Sequence, residues 1–74
     1  MDLHINEDYI FLNQYLLHDM VTGEIDRDDT VYYTTKDGLI ENYYADINDV
    51  PGQVAGMMTA FELSETLLNS QFRW

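Results

Sequence analysis

The side chains able to do chemistry are few and scattered. The two histidines are His4 and His18. His18 precedes Asp19, a pairing that elsewhere serves acid–base or metal chemistry. On a helix, adjacent side chains diverge by about 100°, and no second histidine stands four residues away. The run Glu24-x-Asp26-x-Asp28-Asp29 alternates carboxylates as calcium loops do. An EF-hand loop needs Gly at its sixth position and a bidentate Glu at its twelfth; here those positions hold Asp29 and Thr35. The run then reads as a solvated acidic loop with Arg27 pairing a neighbour, or as a loose cation site. The serines, Ser64 and Ser70, are far in sequence from either histidine, and there is no cysteine nucleophile. The four glycines are dispersed, so no phosphate-cradling loop is formed. Paired carboxylates can act as acid and base, but so short a chain has little room for the cleft that would tune them. The expectation is a protein that is not an enzyme and needs no cofactor or metal.

What stands out instead is charge. The 74 residues include 14 Asp+Glu against 3 Lys+Arg, a formal net charge of −11. Disorder requires low hydrophobicity with high charge; here 46% of residues are hydrophobic and 14% aromatic, with a single proline. That composition predicts one small folded domain, near the size at which an unaided core becomes marginal. Oligomerisation or a bound partner is the expected support. Such acidity makes the chain a poor direct binder of nucleic acid or of an anionic membrane, and neither is an expected partner. No run is long and apolar enough to span a bilayer, and Met1-Asp2-Leu3-His4 lacks a positive leader region. The expected location is the cytoplasm.

The elements that must position these residues read as follows. Asn6 can cap a helix, and Glu7 and Asp8 suit a helix N-terminus. Tyr9, Leu12, Leu16 and Met20 follow at helical spacing, and Gly23 stops the run. This predicts a helix over about residues 7–21; its rival is a strand over Tyr15–Val21 turning near Gly23. Thr30–Thr35 and Leu39–Tyr44 flank Asp37-Gly38, a hairpin signal. A type I′ turn pairs Lys36 with Leu39 and Tyr33 with Asn42. One face then carries Val31, Tyr33, Ile40 and Tyr44, the better core candidate. The other carries Tyr32, Thr34, Lys36, Glu41 and Tyr43. A bulge would swap the faces of one strand. Asp49 and Pro51 suit the start of a long last helix, about residues 51–71, striped by Val54, Met57, Met58, Phe61, Leu68 and Phe72. Gly56 and Ala60 allow close packing, most simply against the hairpin. Leu3–Ile5 or Glu24–Asp26 offers a third strand. Gln71-Phe72-Arg73-Trp74 reads as an aromatic clip onto the core or a reach toward a partner. The fold class is α+β, a single domain over 1–74: helix, antiparallel hairpin with a third strand, C-terminal helix.

Eight acids fall between Glu24 and Asp49, opposed there only by Arg27 and Lys36. Holding like charges together costs stability. A dense negative face attracts a basic one and speeds encounter. Duplex DNA carries a charge per about 1.7 Å of axis, or about 18 over 30 Å, so a net charge of −11 approaches a useful fraction of that density. The candidate partner-binding acids are Asp26, Asp28, Asp29, Asp37, Glu41, Asp46 and Asp49, with Tyr32, Tyr43 and Tyr44 as aromatic anchors. In size, charge and aromatic content the chain resembles the small acidic inhibitors of phages and mobile elements, the anti-CRISPR type among them. That resemblance implies occupation of the nucleic-acid groove of a host defence or repair enzyme, by mimicry of phosphates. It carries no family motif and transfers no residue roles. The competing expectation is a homodimer or adaptor using Met57, Met58, Phe61 and Leu68 of the last helix as an adaptable apolar stripe. An antitoxin and a cation-binding domain are further readings.

Overall fold

The computed structural model describes residues 7–69 in full, together with the backbone of His4–Ile5 and Phe72–Arg73. The chain runs β1 (His4–Ile5), α1 (Glu7–Thr22), β2 (Thr30–Lys36), β3 (Leu39–Tyr44), a 3-10 turn (Ile47–Asp49), β4 (Gly56–Thr59), α2 (Ala60–Asn69) and β5 (Phe72–Arg73). β2, β3 and β4 form an antiparallel sheet in the order β3-β2-β4. The two helices pack on each other and cover one face of this sheet, giving the α+β architecture expected.

Helix α1 spans the predicted residues; its proposed cap, Asn6, lies outside the described residues. Gly23 ends it in the left-handed region at φ 83°, a conformation that costs glycine little. The chain then folds back so that the Ile25 N–H meets the Asp19 carbonyl at 3.2 Å, and Ile25 is buried. The core is Tyr9 and Leu16 of α1, Ile25, Val31 of β2, and Ala60, Leu63 and Leu67 of α2. Burying four side chains of Leu or Val size removes substantial apolar area from water, each contributing about 1.5–3 kcal/mol. Buried Asn13 accepts a hydrogen bond from the Ser64 hydroxyl at 2.9 Å, joining the two helices.

The hairpin follows expectation at its tip. Asp37 and Gly38 have φ of 55° and 79°, as a type I′ turn requires, and Lys36 pairs with Leu39. Beyond Thr35–Ile40 the register shifts: Thr34 opposes Asn42 and Tyr33 opposes Tyr43. Glu41 is the extra residue of a bulge. The expected Tyr33–Asn42 pairing is therefore corrected, and so are the faces, because an inserted residue reverses the alternation after it. Tyr43, not Tyr44, joins the face that carries Val31. Its hydroxyl donates to Asp19 Oδ2 of α1 at 2.6 Å, which holds the side chain on the helical side.

The last helix begins later than the sequence pattern indicates. Residues 51–59 are not helical; Asp49 ends the 3-10 turn, which Asp46 caps by accepting the Asn48 N–H at 2.9 Å. Gly56–Thr59 forms the third strand, in place of Leu3–Ile5 or Glu24–Asp26. His4–Ile5 pairs separately with Phe72–Arg73, and the rest of the proposed terminal clip lies outside the described residues. The helix starts at a capping box. The Glu62 N–H donates to Thr59 Oγ1 at 3.1 Å, and Glu62 Oε1 accepts the Thr59 N–H at 3.2 Å. Gly56 is needed beneath Tyr33: a Cβ there would sit 2.7 Å from Tyr33 Cζ. This is the close packing on the hairpin that its small size predicts.

Candidate interaction surface

The acidic residues fall at opposite ends of the sheet. β2 is seven residues long, about 20 Å at 3.3 Å per residue. Near its start lie the loop after α1, with Asp26, Asp28 and Asp29, and the 3-10 turn, with Asp46 and Asp49. Asp37 is at the far tip, and Glu41 lies on β3 between them. All seven are exposed. Among the described residues the ion pair found is Arg27–Asp28, at 3.9 Å with both side chains open to solvent, so the fold leaves these charges essentially uncompensated.

The loop carrying Asp26, Asp28 and Asp29 is a fixed structure. Asp29 Oδ2 accepts the Asp26 N–H at 2.9 Å, and the Asp29 N–H donates to the Asp26 carbonyl at 3.0 Å. The carbonyls of Arg27 and Asp29 accept the N–H groups of Phe61 and Ala60 at 3.0 and 2.9 Å. These first-turn donors of a helix have no partner within it, so the loop and α2 complete each other. The Arg27 guanidinium lies 4.6 Å from the centre of the Phe61 ring, a cation–π contact.

The three proposed aromatic anchors part company. Tyr32 and Tyr44 are cross-strand neighbours on the face away from the helices, with Met57 opposite Tyr32 on its other side. Tyr43 is turned inward. Burial raises its hydroxyl pKa well above the ordinary tyrosine range, and the Asp19 hydrogen bond and the charges of Asp19 and Glu24 act in the same direction. His18 is exposed, and its neighbour Asp19 serves Tyr43 instead. Met57, Met58, Phe61 and Leu68 do not share a helix face: the two methionines belong to β4, with Met57 exposed and Met58 packed on the core.

A feature not anticipated from sequence runs between α1 and β3. Two adjoining open grooves of about 790 and 440 Å³ share Leu12, Tyr15 and Asn42. Phe11 and Tyr15 stand on the α1 side, 57% and 68% exposed, and Leu39 stands opposite on β3. Lys36, Asp8, Asp37 and Glu41 edge the first groove, and Asp19, Glu24 and Asp49 the second. The available signal was the surplus of apolar residues on α1. Tyr9, Leu12 and Leu16 fill the core stripe, and Phe11 and Tyr15 fall outside it.

β3 is an edge strand, yet two of its N–H groups are already satisfied by side chains. The Ile40 N–H donates to the Tyr9 hydroxyl oxygen at 2.8 Å, and the Tyr43 N–H donates to Asn42 Oδ1 at 2.9 Å. Such blunting is a common protection of sheet edges. Among the described residues no three His, Asp or Glu side chains are grouped to hold a metal ion, and no helix is long and apolar enough to cross a membrane. The chain matches no protein-family model, and neither the characterised proteins nor the solved structures compared with it include a similar chain.

Proposed function

We propose that this protein is a non-catalytic acidic binder that occupies a basic, nucleic-acid-binding surface of a partner protein and competes there with phosphates. The observation that carries this reading is the uncompensated display of carboxylates on structured backbone. Seven exposed acids sit on a fixed loop, a capped turn, a hairpin tip and a bulge, with one weak ion pair among the described residues. About 20 Å of duplex carries about 12 phosphates, the same order as this chain's net charge of −11. The origin in a phage or mobile element, and action against a host defence nuclease, are the biological setting this chemistry fits.

The test is retention of lysate proteins on the immobilised chain, eluted over a salt series and identified by mass spectrometry. The expected result is a nucleic-acid-binding protein released by rising salt and displaced by duplex DNA or RNA. Asp26→Asn with Asp28→Asn should weaken its retention and flatten the salt dependence, since neither carboxylate supports the loop. A partner that resists high salt and ignores nucleic acid would overturn the reading.

A further inference from the structure

We infer that the groove between α1 and β3 is a docking site for a basic amphipathic helix of a partner protein. The inference rests on the reading that the partner is basic, and adds which shape of partner is recognised and where. On α1, Asp8, Phe11, Tyr15 and Asp19 recur at three- and four-residue steps, so they form one row along the helix. Its middle is aromatic and its ends are acidic. The facing wall has Asp37 at one end, Leu39 and Ile40 next along it, Glu41 midway, and Glu24 and Asp49 at the other end. Six carboxylates border the two grooves against the single ammonium of Lys36.

Charge complementarity selects the occupant. A second copy of this chain would bring another net −11 against the same carboxylates, and like charges in contact oppose association. An apolar segment with Lys or Arg near both ends satisfies the floor and the rim together. Its conformation is selected by the edge of β3. The N–H groups of Ile40 and Tyr43 are occupied by Tyr9 and Asn42, so an added strand would find these donors taken. A helix brings its backbone already bonded and docks by side chains alone. From Asp8 to Asp19 the row is about 16 Å long at 1.5 Å per residue, which matches about three turns of partner helix.

The test uses a synthetic 14-residue peptide with leucines at helical spacing and lysines and arginines toward both ends, and a scrambled peptide of identical composition. Calorimetric titration of the full chain measures affinity, and amide chemical shifts locate the site. The expected result is helix-selective binding, with shifts concentrated at residues 8–19 and 37–43. Phe11→Ala with Tyr15→Ala should weaken it about tenfold or more, as loss of central aromatic anchors does. Both side chains are exposed, so the variant should fold; an unchanged circular dichroism melt checks this. Equal affinity for the scrambled peptide, or an unchanged affinity in the folded double variant, would overturn the inference. So would self-association of the wild-type chain that the double variant abolishes, since the occupant would then be a second copy. Asp26→Asn with Asp28→Asn lies outside the groove, so its effect on the lysate partner reports separately on the phosphate-mimic reading.

Discussion

The two helices lie side by side and use their apolar residues differently. α2 commits Ala60, Leu63 and Leu67 to the core and begins at a reciprocal cap made by Thr59 and Glu62. α1 also fills the core, through Tyr9 and Leu16, but carries Phe11, Tyr15, Leu17 and Val21 into solvent. A helix in a small domain needs one apolar stripe, and α1 has more than one. α2 also leaves Phe61 and Leu68 partly in solvent, Phe61 against the Arg27 guanidinium, but neither borders the two grooves, whereas the Phe11–Tyr15 flank of α1 lines them. Scattered exposed apolar residues are ordinary; a row of two aromatics beside a groove and between carboxylates is more specific.

The comparison breaks most visibly under truncation of the core. Leu63→Ala or Leu67→Ala in α2 should cost about 2–5 kcal/mol in denaturant unfolding, since both are fully buried; in so small a domain that approaches the whole stability. Thr59→Ala removes the cap that starts α2 and should cost about 1 kcal/mol, read as a lower melting temperature with little change in the folded spectrum.

The contact between Tyr43 and Asp19 sharpens the comparison by pH. The folded pKa of Tyr43 is raised, by burial first and then by Asp19 and Glu24. Below the unfolded tyrosine pKa, about 10, both states keep the proton and the contribution is complete. Above it the unfolded chain loses a proton that the folded chain retains, so stability falls as pH rises. Tyr43→Phe should remove that part of the alkaline loss, measured by unfolding between pH 9 and pH 12, and should cost about 1 kcal/mol at neutral pH as one hydrogen bond is lost. The smallest effect belongs to the exposed flank: Phe11→Ala and Tyr15→Ala should each shift stability by less than about 0.5 kcal/mol. A large loss at either position would show that the flank supports the fold, and the contrast between the helices would disappear.

Much of the fold was legible because local signals agreed. Asp37-Gly38 admits positive φ at two successive residues, and the β-formers on either side leave little choice but a hairpin. Gly23 marked the end of α1 for the same stereochemical reason. The start of α2 was misplaced because Val54, Met57, Met58 and Phe61 suit a helical stripe while Gly56–Thr59 also suits an edge strand. The Thr59-x-x-Glu62 box marked the true start. The bulge at Glu41 had no local signature. It turns the Tyr43 hydroxyl toward its acceptor Asp19, 24 residues earlier in the chain.

The sequence by itself determined the acidity, the two helices and the hairpin, because these depend on composition and on neighbours within a few residues. Tertiary structure alone decided which side each tyrosine faces, that β4 completes the sheet, and that Asp8 and Asp19 border the same grooves as Asp37, Glu41 and Asp49. The physical reason is distance along the chain. A turn or a cap is decided by adjacent backbone conformations, whereas a groove exists only where segments 20 to 40 residues apart pack against one core and leave their remaining side chains facing each other.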